Sequence, residues 1–214
     1  MAARFPMIVA LLVSMAAAPS AFAEPSLQDL VGRSMQACHD GRIAKARADR
    51  LAHFERGQRW GEQAVAMDER SAAAHFSLFC NLGELMRIDG EMNLSSVFGF
   101  RRMMRELDRT LELAPDHLDA LSARGTFLVR LPSFLGGDPN RGEALLRYVI
   151  TREPQAVNAR LSLAKSYCGR GRHSEAVTLA AEALSLAHAQ QRDDFIPEAT
   201  RVLSQINTAP NKAN

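Results

Sequence analysis

Nothing in the chain reads as a β-strand, since no short stretch alternates apolar and polar side chains between turn signals. That removes the folds that present nucleotides or nucleophiles at strand ends. The motifs those folds use are missing too: there is no GxSxG, no phosphate-cradling P-loop and no GxGxxG opening a helix after a strand. No CxxC occurs, and the six histidines (His39, His53, His75, His117, His173, His188) are never spaced i, i+4 as a helical zinc site would need. Cys38-His39 has no second cysteine three residues earlier, so it is not a haem-attachment motif. No catalytic residues, metal ligands or cofactor are therefore assigned, and the chain is expected not to be an enzyme.

Charge of one sign is not in excess either, with 26 basic against 24 acidic side chains. Such a balance gives no electrostatic footprint for nucleic acid. Long apolar runs are limited to the start, where Arg4 precedes an apolar stretch from Phe5 to Ala18 and Ala21-Phe22-Ala23 stands before Glu24. This is the pattern of a secretory signal with an A-x-A-like cleavage site. The run falls short of the roughly 20 residues of a membrane span. Residues 1–23 are thus expected to be removed, leaving a soluble periplasmic or secreted protein; an uncleaved amino-terminal anchor is the alternative.

Cysteine is scarce as well. Cys38, Cys80 and Cys168 are odd in number and far apart, which excludes the even framework of a disulfide-rich secreted fold. Free buried thiols are the plain expectation, and one disulfide with a spare thiol is the alternative in an oxidising compartment.

What is present is helical periodicity, divided by prolines and glycines. Ser26 to Asp29 forms a helix-start box, followed by a short helix to about Ala37 and a break at Asp40-Gly41. Ile43 to Met67 is helix-rich, with Gly57 expected to divide or bend it and Trp60, the single tryptophan, to fill space between helices. Ala72–Ile88 places Phe76, Phe79, Leu82 and Leu85 at helical spacing and ends at Asp89-Gly90. Leu94–Leu113 puts Val97, Phe100, Met104, Leu107 and Leu111 on one face; Arg101, Arg105 and Arg109 fall on another, interleaved with acids as a solvated ion-paired face.

Pro115 closes that helix, and Leu118–Arg130 begins the next. Between Leu131 and Glu143 lies PSFLGGDPNRG, where Asp138-Pro139 signals a new helix and Phe134-Leu135 is expected to tuck back onto the hairpin rather than serve as an exposed contact element. Val157–Gln190 then supplies two helices around Gly169-Arg170-Gly171, and an amphipathic helix from Phe195 to about Ile206 reads as an end cap before a polar tail, 207–214.

Val157–Gln190 resembles a tetratricopeptide repeat, with Ala164 at the small position, Tyr167 at the large one, and Ala176 and Ala183 in the second helix. Less regular units, Ala72–His117 and Leu118–Ala156, precede it and close at Pro115 and Pro154; the second spans 39 residues because its turn is extended. The resemblance implies an all-α superhelix of three to four helical hairpins with a carboxy-terminal cap, covering residues 24–206. It also implies a protein or peptide partner in the concave groove lined by first helices. Carried onto this chain, the partner-binding candidates are Phe76, Cys80, Ser122, Thr126, Arg130 and Lys165, joined by Phe134 and Leu135 of the extended turn. The stretch LPSFLGGDPNRGEALL additionally resembles the tetratricopeptide-type component associated with tripartite ATP-independent periplasmic transporters. That likeness implies contact with a periplasmic solute-binding protein, or a small organic or hydrophobic ligand held around Phe76, Phe79, Phe134 and Leu135.

Overall fold

The computed structural model describes residues 24–88 and 94–208. The expected signal segment, the Asp89-Gly90 stop and the end of the tail lie outside the described residues. Among the described residues there are nine α-helices and no strand. The first four are α1 (Leu27–Ile43), α2 (Arg47–Met67), α3 (Ala72–Ile88) and α4 (Leu94–Leu113). After α5 (Leu118–Arg130), a single 3-10 turn at Ser133–Leu135 leads into α6 (Pro139–Arg152), α7 (Val157–Gly169), α8 (His173–Ala189) and α9 (Ile196–Thr208).

Local chemistry sets the starts. The Ser26 hydroxyl accepts from the Asp29 amide while the Asp29 carboxylate accepts from the Ser26 amide, so two of the unpaired donors at the head of α1 are satisfied reciprocally. Asp138 caps α6 by accepting from the Arg141 amide at 3.0 Å, and Pro139 fits the first turn because its missing N–H would have had no partner there.

Each helix packs on its neighbour in sequence, giving hairpins α1/α2, α3/α4, α5/α6 and α7/α8 with α9 as the last element. The first helices also meet laterally, α1 with α3, α5 with α7 and α7 with α9. The apolar interior is accordingly segmented. Leu30, Ala64 and Ala74 form one cluster, a second surrounds Leu78, Phe79, Met103 and Leu107, and the largest joins α6 to α9. A hairpin cannot bury all of its apolar face alone, and each cluster accordingly extends from the interior of one hairpin onto a helix of the next.

Two expected breaks do not occur. Helix α1 runs past Asp40-Gly41 to Ile43, and α2 is continuous through Gly57. Both glycines instead provide room. A Cβ on Gly41 would come within 2.3 Å of the Phe54 ring, and one on Gly57 within 2.1 Å of Asn81 Oδ1. Phe54 is fully buried over Gly41, a burial that contributes roughly 1.5–3 kcal/mol. Over Gly57, Asn81 donates to the carbonyls of Ser34 and Ser77, and the Ser34 hydroxyl donates to the Gly57 carbonyl, which ties α1, α2 and α3 together.

The cysteines differ from the plain expectation as well. Cys38 on α1 and Cys80 on α3 are bonded to each other, their Cα atoms 6.2 Å apart, and Cys168 is the free, half-buried thiol. The lateral packing of first helices brings together two residues that are 42 apart in the chain. Sequence distance alone offers no reason to pair them.

Between α3 and α5 the seam is aromatic. Phe76 stacks on Phe79 and on His117, and Phe127 of α5 meets Phe79 and Phe100 edge-on, with ring centroids 6.3 and 5.9 Å away. Several bulky side chains in this seam, Phe76, Phe100 and Phe127 among them, remain partly exposed.

Candidate functional site

The eight candidate residues divide by what already holds them. Ser122 is buried and its hydroxyl accepts from Asn158, while the Thr126 hydroxyl donates to Ser162 at 2.8 Å, so both serve the joint between α5 and α7. Lys165 is paired with Glu198 of α9. Cys80 is 7% exposed, bonded to Cys38 and approached by the Arg42 guanidinium, which corrects its assignment as a side chain open to a partner. Phe76 is half-buried in the aromatic seam. Arg130, Phe134 and Leu135 are exposed.

The turn carrying Phe134 and Leu135 also departs from expectation. The two side chains do not tuck back: Phe134 is 85% exposed and Leu135 48%. The backbone explains why. The amides of Leu135 and Gly137 both donate to the Pro132 carbonyl, the Asp138 amide donates to the Leu128 carbonyl at 2.9 Å, and Gly136 takes φ +87°. A Cβ on Gly137 would lie 1.7 Å from the Leu131 carbonyl oxygen, so the chain folds flat against the end of α5. With the backbone turned inward in this way, the side chains point out. Phe134 and Leu135 therefore do not join Phe76 and Phe79 around one cavity. Phe98, near the start of α4, is a further large apolar side chain in the open, at 75% exposure.

Charges cross the inner face. Asp194, between α8 and α9, accepts from Arg192 at 2.8 and 2.9 Å and stands 3.9 Å from Arg42 of α1. Arg42 in turn donates to Glu84 of α3 at 2.8 Å, and Glu84 pairs with Arg87 at 3.5 Å. Arg87 reaches Glu198 of α9 at 3.9 Å, and Glu198 also holds Lys165 of α7. Cations and anions thus alternate along one continuous path from the first hairpin to the last helix. Burial pushes the Asp194 carboxyl up, but the hydrogen bonds from Arg192 and the charges of Arg192, Arg42 and His39 hold it below its usual range. Burial likewise raises Glu198, and Lys165, Arg87 and Arg201 together bring it below the ordinary value.

A second ionic knot sits at the turns. Buried Glu143 accepts from Ser166 and faces Arg147, Arg170 and Arg172, with Arg172 lying 3.5 Å over the Tyr167 ring. These groups pin α6 to the α7–α8 turn. The arginine row of α4 is solvated as expected: Arg101 and Arg105 are exposed, and Arg109 pairs with Glu112. Trp60 packs beside Leu30 and Ala64, between helices, with Arg56 over its ring. Among the described residues no group of His, Cys, Asp and Glu could hold a metal ion, and no helix is long and apolar enough to cross a membrane.

Consecutive antiparallel hairpins, laterally packed first helices and a terminal capping helix define a tetratricopeptide-like α-solenoid. A solved structure with the same fold is a thermophilic TPR protein of Thermus thermophilus, 19% identical, with a TM-score of 0.52 over 84% of this chain and 100% of that one. MamA of AMB-1 (17% identity, TM-score 0.49, 86% of this chain and 99% of that one) and MamA of Desulfovibrio magneticus RS-1 (14%, 0.46, 85% and 96%) are also similar. No family model and no curated protein matches the sequence.

Proposed function

We propose that this chain is an exported, non-catalytic scaffold that holds a protein partner at the Phe134–Leu135 turn. The observation that carries this reading is the exposure of two adjacent apolar side chains on a turn whose backbone is fixed by four hydrogen bonds and two glycines. A fixed backbone means that binding orders little that was free before, and a rigid aromatic anchor is the residue type that dominates interface energetics. The signal-like residues 1–23 and the Cys38–Cys80 bond both suit an oxidising, extracytoplasmic compartment. The concave face is the weaker candidate for the partner, because Ser122, Thr126 and Lys165 already satisfy one another or their neighbours. A periplasmic solute-binding protein of a tripartite transporter is the alternative partner, and it rests on the GGDP stretch alone.

A photocrosslinking side chain placed at Phe134, with a control at exposed Thr178 on α8, tests the proposal in periplasmic extract. An adduct formed at 134, competed by excess unlabelled protein and lost with Leu135→Asp, is the expected result. The same adducts from both positions, or none at 134, would refute it. Mass spectrometry of the adduct decides between a solute-binding protein and another partner.

A further inference from the structure

Residues far apart in the chain meet across the inner face. Arg42 and Arg87 belong to the first two hairpins, whereas Asp194 and Glu198 flank the start of the last helix. In an open solenoid each unit touches only its neighbours, so ends that exchange ion pairs require the superhelix to come round on itself. Asp194 makes the point most directly: its side chain is 1% exposed, although it sits in a connection between two helices at the end of the fold. Arg42, Arg87 and Lys165, one from each of α1, α3 and α7, face carboxylates that the α8–α9 connection (Asp194) and the first turn of α9 (Glu198) deliver.

We propose that the α8–α9 connection and the head of α9 act as an internal occupant of the inner face, fastening a closed form of the solenoid that gives way to an open form when these ion pairs are weakened. The inference stands apart from the partner reading of the Phe134 turn and shares no residue with it.

The energetics suit a clasp that can open. At 3.9 Å the two bridges that span the ends, Arg42 to Asp194 and Arg87 to Glu198, are charge contacts and not hydrogen bonds. The arginine side chains of both pairs remain open to solvent, at 31% for Arg42 and 58% for Arg87, and bridges screened in this way shift a closed-to-open ratio by up to about fivefold each. Their neighbours in the alternating path, Glu84 and Lys165, hold the arginines and the glutamate in place, so the bridges act together. No apolar cluster joins α1 or α3 to α9, so charge is what connects the ends among the described residues.

The test is a distance measurement on the full mature chain. Spin labels are attached at Lys45→Cys, beyond the end of α1, and Thr200→Cys, on the exposed side of α9, in a Cys168→Ser background with the Cys38–Cys80 bond intact. Pulsed dipolar spectra are recorded at about 0.01 M and about 1 M salt, where the screening length falls from roughly 30 to 3 Å. The closed form gives a single short distance at low salt. At high salt the long-distance fraction is expected to rise about five- to twentyfold. Arg87→Gln with Glu198→Gln should populate the long distance already at low salt, with far-UV circular dichroism unchanged. An identical distance distribution at both salt concentrations would overturn the proposal, and so would a salt-dependent change accompanied by loss of helicity. Should the double variant fail to fold, the salt series on the otherwise unaltered chain decides the matter.

Discussion

At position 57 one methyl group separates a tight three-helix joint from a disrupted one. Gly57→Ala places a Cβ against Asn81 Oδ1, and Asn81 cannot retreat without giving up its donations to Ser34 and Ser77. A loss of about 1–3 kcal/mol is expected, read as a lower urea midpoint with unchanged slope. Gly32 is the internal control, since it lies in α1 with nothing within 4 Å of its added Cβ. Gly32→Ala should stabilise by about 0.5–1 kcal/mol through helix propensity. The two glycines look alike in the sequence. A glycine that breaks a helix and one that admits a neighbour differ only in what lies opposite, and at Gly57 the opposing residue is 24 positions away at Asn81.

Element by element, the α7/α8 hairpin was the most legible, because Ala164, Tyr167, Ala176 and Ala183 are all buried where the repeat pattern puts them. Pro115, Pro154 and Asp138-Pro139 likewise marked real boundaries, since each acts within one turn of backbone. The α5–α6 turn departs from the sequence expectation for the opposite reason. Its side-chain direction follows from the Gly137 and Pro132 backbone geometry, which composition does not encode. The lateral bond between Cys38 and Cys80 was open in the sequence and is fixed only by the side-by-side placement of α1 and α3. Closing a loop of that length in the unfolded chain should be worth about 2–4 kcal/mol. Cys38→Ala with Cys80→Ala is therefore expected to lower the unfolding free energy by that amount, measured in urea. The Phe134–Leu135 turn should be insensitive to the change, because it belongs to a different hairpin.

For the whole molecule, pH acts through the carboxylates of the inner face. Asp194 and Glu198 have folded-state values below their unfolded ones, so their contribution is fully present above the ordinary carboxylate range and is lost as pH falls through the folded values. Thermal midpoints should thus stay level from neutral pH down to about 4.5 and decline below it. Asp194→Asn should flatten that decline at the cost of a lower midpoint at neutral pH. None of these pairings could be read from the chain, because Arg42, Arg87, Asp194 and Glu198 carry no local pattern and meet only through superhelical curvature.

The ion pairs that cross the inner face also order events in time. The other helix contacts join elements that are next or next but one in the chain, and such short-range structure forms early because little chain entropy is lost in closing small loops. Joining Arg42 to Asp194 requires almost the whole described chain to be in place first. The hairpins are therefore expected to form before the ends meet, repeat by repeat, with the joining of Arg42 to Asp194 as the final step.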